Sequence, residues 1–389
     1  MQGEPLSRSV DTAYIPCKCF EYLDYVSGCK GAILKTATMY DVARVAGVST
    51  ATVSRVVRGS ALVNTDTRDR VSAVISALGY VPDGYAQGLS NRRKDVIGLV
   101  GLERGIAETG VERTSLLFID QVVHAAESVL RGTSFSLMLT FGSRGGEFEG
   151  RVRSLTGKVD GLLVVEHVMA AGELRVLAGR IPVVVIAGRR EEAGLDVFTA
   201  DNRAGMTALV RHLVVDHRYR RLSFVAGPRD APDARERLAA FEAAVLAGRD
   251  STVDQVICGD FSEGSGTAAA RVLLDRAGRR SVPDAVVCAN DQMAIGVLRE
   301  FQRAGLRIPG DVAVTGFDDI YPAGLVDPPL TTVSQPIREL GARAAGRLLA
   351  RIAEPGLPPR AQVLGTTVFF RASCGCRPGQ NAGQQARGG

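Results

Sequence analysis

Thr38-Met39-Tyr40-Asp41-Val42-Ala43-Arg44-Val45-Ala46-Gly47-Val48-Ser49-Thr50-Ala51-Thr52-Val53-Ser54-Arg55-Val56-Val57 decides how this chain reads. Thr38 is placed to cap a helix that opens at Met39, and Asp41 stands where a capping-box acid reaches back. Ala43 and Ala46 are small, so a second helix can approach closely. Gly47 ends the helix, because a sharp turn needs the left-handed backbone that glycine adopts without steric cost. Ser49 is the next N-cap, and Val53, Val56 and Val57 form one apolar stripe at helical spacing. Thr50, Ala51, Ser54, Arg55 and Arg58 occupy the opposite face. Two short helices about a tight glycine turn, the second presenting small polar groups and arginines, describe a helix-turn-helix. Helix periodicity alone fits an ordinary αα-hairpin equally well.

The run Met39 to Ser49 followed by Thr52-Val53-Ser54-Arg55-Val56 breaks that tie. It resembles the DNA-binding headpiece of the lactose-repressor (LacI/GalR) family of bacterial transcription regulators. The likeness continues through Thr67-Arg68-Asp69-Arg70-Val71 and Gly79-Tyr80-Val81-Pro82 to Ala86-Gln87-Gly88-Leu89. It implies a homodimeric repressor that lays each recognition helix in a major groove of near-palindromic double-stranded operator DNA. Arg55 is the base-reading candidate, since its planar fork matches guanine O6 and N7. Thr50 and Ala51 would read by methyl contact and shape, beside Ser54 on the same face. Tyr40, Ser49, Thr52, Arg58, Thr67 and Tyr80 would position the phosphate backbone. Residues 83–95 form a glycine-bearing hinge, marginal as an isolated helix and expected to fold when two copies meet on DNA. The resemblance places Leu89 as a wedge in the minor groove, and an apolar side chain that unstacks a base step kinks the duplex.

Charge supports this division. From Met39 to Lys94 eight Lys/Arg stand against four Asp/Glu, whereas the whole chain, with 47 basic and 42 acidic residues, is only +5. The excess sits in a small module attached to a near-neutral body, which is the asymmetry of a polyanion-binding unit. At 389 residues the chain exceeds one core and implies two or three domains. No apolar run reaches membrane-spanning length and no signal-peptide core opens the chain, so a cytoplasmic protein with no membrane partner is expected. Residues 1–37 follow no sustained period and are expected to be a disordered extension or the product of an over-called start codon. Residues 377–389, rich in Gly and Gln, read as a flexible tail.

From Asp95 onward apolar β-branched runs alternate with amphipathic helices, the mark of a parallel sheet, and the cycle restarts at Asp201-Asn202. The expected fold is an all-α helix-turn-helix headpiece (38–82) followed, through the hinge, by an α/β effector-binding and dimerisation domain (96–376). That domain resembles periplasmic sugar-binding proteins, with two doubly wound parallel-sheet lobes built from 96–199 with 334–353 and from 200–333 with 354–376. Ligands in open α/β sheets lie beyond the carboxyl ends of strands. Candidates at such ends are Arg237, Phe261, Asn290 and Asp318. Arg237 lies in a segment that looks like the family's cleft arginine, and Phe261 stands where the family often stacks an aromatic on the ligand. Asp291 and Asp319 read equally well as ligand contacts or helix caps. A donor fork, an amide, a carboxylate and an apolar platform suit the hydroxyls of a sugar or sugar derivative, each of which donates and accepts. After Val183-Val184-Val185-Ile186 many sugar-responsive relatives carry an aspartate, but this chain has Ala187-Gly188-Arg189. A phosphorylated or acidic sugar, a nucleoside-like compound and a sugar bound with fewer contacts all remain open.

Two alternatives are weighed by what the chain contains. An enzyme fused to a headpiece would need a phosphate loop or a dinucleotide fingerprint. Gly259 to Gly266 lacks the lysine of a P-loop and no strand leads into G-x-G-x-x-G, so no catalytic residue is assigned and no cofactor is expected. A sugar receptor whose headpiece does not bind DNA is the other. The seven cysteines (Cys17, Cys19, Cys29, Cys258, Cys288, Cys374 and Cys376) include no C-x-x-C pair, so no disulfide framework is expected. The C-x-C spacing of Cys17/Cys19 and Cys374/Cys376 argues against zinc, whose ligands usually stand further apart locally. His212 and His217 are five residues apart and do not share an α-helical face. With His124 and His167 they read as structural or surface residues, and no metal ligand is assigned.

Overall fold

In the computed structural model, which describes residues 37–57, 60–80, 93–102, 116–165, 168–188, 194–248, 250–277, 282–377 and 384–385, the headpiece is built from local caps. Helix α1 (Met39–Ala46) opens on Thr38, whose Oγ1 accepts the Asp41 N–H at 3.3 Å while the Asp41 carboxylate accepts the Thr38 N–H at 3.0 Å. Hydrogen bonds from Thr38 hold the Asp41 carboxyl below its ordinary range. Gly47 closes α1 with φ 63°. Ser49 Oγ accepts the Thr52 N–H at 3.2 Å ahead of α2 (Thr50–Val57). Helix α3 (Thr65–Leu78) starts on Asn64, whose Oδ1 accepts the Thr67 N–H at 2.8 Å, and stops at Gly79 with φ 59°. Val42, Ala43, Ala46, Val53, Val56, Val63, Val71 and Tyr80 form the core of the headpiece. Leu78, at 37% exposure, stays outside it. The expectations for residues 1–36, Arg58, residues 83–92 of the hinge with Leu89, and Arg189 fall outside the described residues.

The remainder is a separate compact unit with two parallel sheets. In the first lobe β1 (Val96–Leu102), β2 (Ser136–Gly142), β3 (Gly161–Val165), β4 (Val183–Ile186) and β5 (Asp196–Ala200) pair in parallel as β5-β4-β3-β1-β2. Helices α4 (Leu116–Leu130), α5 (Gly146–Leu155) and α6 (Ala171–Ala178) connect them. In the second lobe β6 (Arg221–Ala226), β7 (Thr252–Cys258), β8 (Ala285–Cys288) and β9 (Ala313–Thr315) pair in parallel as β7-β6-β8-β9. Its helices are α7 (Asn202–Arg211), α8 (Pro232–Ala247), α9 (Glu263–Ala277) and α10 (Asp291–Arg303). Strand β10 (Thr332–Ser334) then leads into α11 (Ile337–Ala353), which buries Ile337, Leu340, Ala344, Ala345 and Leu348 in the core of the first lobe.

Two features depart from expectation. Strand β11 (Ala361–Leu364) adds in parallel to the free edge of β5, so this part of 354–376 belongs to the first lobe and not the second. The chain returns to the second lobe only at β12 (Thr367–Phe369), antiparallel to β10. Helix α7 changes its bonding after Arg211. It passes into a π turn over His212–Asp216, closed by the His217 N–H on the His212 carbonyl at 3.3 Å. Bonding from i to i+5 puts residues five apart in line. His212 and His217 therefore do share a face, against the expectation from α-helical spacing, and Cys374 and Cys376 join them.

Helices α9 and α10 meet backbone to backbone. A Cβ at Gly266 would come within 2.1 Å of the Met293 carbonyl oxygen, and one at Gly296 within 2.1 Å of the Glu263 carbonyl oxygen. Gly296→Ala is expected to lower stability by about 1–3 kcal/mol through overpacking, read as a lower urea midpoint. An unchanged midpoint would show that the two helices part without cost.

Candidate functional site

A cleft of about 510 Å³, its open mouth included, lies between the two lobes. Leu102, Phe118 and Ile119 line it from the first lobe, and Asp233, Arg237, Phe261, Asn290, Gln292 and Asp318 from the second, with Gln335 on the crossing segment. All four residues picked from sequence thus meet in one place. Arg237 is buried and stacked on the Phe317 ring at 3.8 Å. Its Nε donates to Asn202 Oδ1 at 2.9 Å, and its Nη1 to the Ala289 carbonyl at 2.6 Å and to Asp318 Oδ1 at 3.2 Å. Nη2 lies 3.7 Å from Asp233 Oδ2, too far for a good hydrogen bond, and is the least engaged of the three nitrogens. Asp318 Oδ1 also accepts from Gln335 Nε2 at 2.6 Å. Burial pushes the Asp318 carboxyl up to about 6, although Arg237 and Gln335 pull it down.

Two cleft residues hold a backbone that side chains rarely adopt: Phe261 at φ 73° and Asp318 at φ 115°. Such strain costs on the order of 1–3 kcal/mol each and persists only where the surroundings dictate it. The Phe261 carbonyl is tied by Asn290 Nδ2 at 2.9 Å. Its ring covers Gly227, where a Cβ would come within 2.3 Å of a ring carbon. Phe261 thereby lines the cleft as an apolar side chain.

The structure reassigns the polar residues of the α10 turn. Asn290 is the N-cap, its Oδ1 accepting the Met293 N–H at 3.0 Å, so its amide serves the fold before it serves a ligand. Asp291 is neither cap nor cleft residue. It is fully buried, accepting the Thr332 hydroxyl at 2.5 Å and the Ile320 N–H at 2.9 Å, and burial raises its carboxyl well above the ordinary range. Asp319 is an ion-pair partner of Arg371 at 2.6 Å. Gln292 was missed from sequence. It is 8% exposed, it lines the cleft, and its Nε2 finds no hydrogen-bond partner among the described residues. Asp233, one helical turn before Arg237, and Gln335 were missed too. For Gln292 and Asp233 the available signal was proximity in the sequence to Asn290 and to Arg237; Gln335 had no such neighbour.

In the headpiece, Ala51 and Arg55 are exposed and Thr50, Thr52 and Ser54 half-buried, all from α2 or its first turn. Tyr40 is 78% exposed on α1. Ser49 is exposed with its Oγ 3.0 Å from the Thr52 hydroxyl, and Thr67 is half-buried at the start of α3. Tyr80, expected as a phosphate contact, is packed largely inward. The Gly79 turn folds it back, its N–H donates to the Ile75 carbonyl at 3.0 Å, and the residue sits in the headpiece core at 8% exposure.

Residues 38–83 match the family described as bacterial regulatory proteins, lacI family, and residues 210–374 match the periplasmic binding protein-like domain. The chain is 35% identical over 347 residues to the HTH-type transcriptional regulator CelR of Thermobifida fusca, covering 86% of this chain and 98% of that one. It is 32% identical over 342 residues to the ribose operon repressor of Escherichia coli K12, covering 87% and 99%. Among solved structures, the Lac repressor dimer bound to operator and the anti-inducer ONPF aligns with a TM-score of 0.76 at 27% identity, over 87% of this chain and 99% of that one. The complex of CelR with cellobiose aligns with a TM-score of 0.63 at 33% identity, over the same shares of 87% and 99%.

Asn290→Ala is expected to cost about 1 kcal/mol of folding stability as a lost cap. Gln292→Ala, which removes only the long bond from Asn290 Nδ2 to Gln292 Oε1 at 3.4 Å, should stay within about 0.5 kcal/mol of wild type. Urea unfolding of both variants checks the pair, and equal losses would show that Gln292 serves the fold as much as the cap does.

Proposed function

The chain belongs to the LacI family of bacterial regulatory proteins, and on that premise we propose that it is a transcriptional repressor whose hold on a near-palindromic operator is set by a sugar or sugar derivative in the interlobe cleft. The carrying observation is the cleft itself. Arg237, Phe261, Asn290 and Asp318 line it together with the Gln292 Nε2 group, which has no partner among the described residues, and apolar side chains of the opposite lobe. A ligand hydroxyl there finds an anionic acceptor in Asp318, an amide donor in Gln292 and a ring wall in Phe261. The cellobiose-bound relative supports a carbohydrate as occupant.

In this reading the protein works in the cytoplasm, and it binds operator as a homodimer, a state supported by the operator-bound Lac repressor dimer. Arg55 reads a base edge. Tyr40, Ser49, Thr52 and Thr67, with Arg58, hold phosphates, and Thr50, Ala51 and Ser54 shape the contact face. Leu89 is the minor-groove wedge on hinge 83–95. Ligand that spans both lobes draws them together, and the hinge segments lose their shared register on the duplex. Coupling is reciprocal: operator weakens an inducer by the factor by which inducer weakens operator. The cleft binds without turnover, so ligand incubated with the protein returns unchanged by mass spectrometry.

Arg55→Ala is expected to lower affinity for the operator by about 1–3 kcal/mol while leaving low-salt non-specific binding and ligand binding in place. Gel shifts on the upstream region of its own gene, beside ligand calorimetry, check this; loss of ligand binding would break the division of labour. Ligand affinity, measured with whichever member of a panel of sugars and sugar phosphates gives the largest thermal shift, should fall as pH drops through about 6. Below that pH the Asp318 carboxylate takes up a proton and stops accepting from the ligand; above it, affinity is level. Asp318→Asn should abolish the step, and a flat profile in wild type between pH 5 and 8 would remove Asp318 from the ligand shell.

A further inference from the structure

A second group of chemistry-bearing side chains lies at the far end of β12, apart from the cleft. His212 and His217 come from the two ends of the π turn, and Cys374 and Cys376 from the segment after β12. One ligating atom from each lies within 4.8 Å of all the others. His212 Nε2 is 3.0 Å from His217 Nε2, 3.3 Å from Cys376 Sγ and 3.8 Å from Cys374 Sγ, and Cys376 Sγ is 3.5 Å from His217 Nε2. Zinc bonds of about 2.0–2.1 Å to nitrogen and about 2.3 Å to sulfur imply tetrahedral edges of about 3.3 Å between nitrogens and about 3.6 Å from nitrogen to sulfur. The four measured distances straddle those edges.

The surroundings orient the donors. His212 Nδ1 lies 2.7 Å from Asp216 Oδ2, which keeps the ring proton on Nδ1 and turns the Nε2 lone pair toward the two sulfurs. The Thr331 hydroxyl lies 3.1 Å from Cys374 Sγ. Tyr219 stacks on His217 with ring centroids 5.4 Å apart and donates its hydroxyl to the Cys374 carbonyl at 3.0 Å. Gly375, at φ 102°, reverses the chain between the cysteines so that both sulfurs face the histidines, and a Cβ there would press on the His217 ring at 3.3 Å. This turn is what lets a C-x-C spacing serve one centre. Cys374 is fully buried, His212 is 10% exposed at its side chain, and Cys376 and His217 are half-buried.

We propose that His212, His217, Cys374 and Cys376 form a structural zinc site that fastens the chain after β12 to the π turn of the second lobe. Each thiol gives up its proton to solvent as its sulfur bonds the metal, so two protons leave per Zn²⁺ and the centre is electrically neutral. No electron is transferred. All four positions are filled by the protein, which makes the site structural rather than hydrolytic. The inference stands apart from the reading of the cleft.

The test uses the full chain purified without a metal-binding tag. Zinc should copurify at about one per chain, and Co²⁺ added to chelator-treated protein should give intense visible ligand-field bands together with a thiolate-to-cobalt charge-transfer band. Cys374→Ser/Cys376→Ser should lose both signals at least about tenfold, while Cys17→Ser/Cys19→Ser/Cys29→Ser keeps them. Chelator should lower Tm in wild type, zinc should restore it, and the double variant should show neither response. Because the wild-type cobalt spectrum stands by itself, misfolding of the variant leaves the test intact. Absent stoichiometric metal, a six-coordinate cobalt spectrum without charge transfer, persistence of the spectrum in Cys374→Ser/Cys376→Ser, its loss in the triple variant, or a Cys374–Cys376 disulfide in freshly prepared protein would each overturn the proposal.

Discussion

A guanidinium taken out of water must be answered by acceptors on every side, and Arg237 is the buried charge around which the cleft is arranged. Asn202 at the start of α7, the Ala289 carbonyl at the end of β8 and Asp318 after β9 all converge on it. These acceptors come from three separate chain passages. The Phe317 ring beneath the guanidinium excludes water and strengthens each bond. Asp318 holds its strained backbone because it is fixed from two directions, by Arg237 and by Gln335. The charge network thus determines where a ligand would meet donors and acceptors.

The same network reaches the segment that joins the lobes. Thr332 bonds the buried Asp291 at the start of α10, and Gln335 bonds Asp318 in the cleft. Thr331, one residue earlier on the alternate face, bonds the Arg371 carbonyl and lies against Cys374 Sγ. One short crossing strand therefore feels the cleft on one side and the His–Cys group on the other. In the function proposed above, this strand, which leads into α11 and the first lobe, is where a change in the filling of the cleft would be felt. The cleft carboxylate Asp318 is thus one hydrogen bond from the crossover at Gln335, and the buried Asp291 ties the same segment to α10 through Thr332.

The helix-turn-helix was legible because its determinants are local. Thr38 with Asp41, Gly47, Ser49 with Thr52 and Asn64 with Thr67 each act within three residues or at one backbone position. The alternating strands and helices of the two lobes were legible for a similar reason, since strands buried on both faces read as apolar runs. Strand β5 escaped notice because it opens on Asp196, whose burial is compensated by Arg347 and Arg351 from α11 far along the chain. Strand β11 escaped because an edge strand with exposed residues carries no apolar run.

Sequence by itself determined the family, the headpiece, the two-lobed body and the four residues that meet at the cleft, because caps, turns and hydrophobic period are written in neighbouring residues. Tertiary structure alone decided which amide of the Asn290-Asp291-Gln292 turn is spent on a cap and which is left facing the cleft. It also decided that Tyr80 packs inward, and that a π turn and a left-handed glycine bring two histidines and two cysteines to one point. The reason is the same in each case. These outcomes depend on the direction a side chain takes once its backbone is bent, and that direction is set by partners distant in sequence.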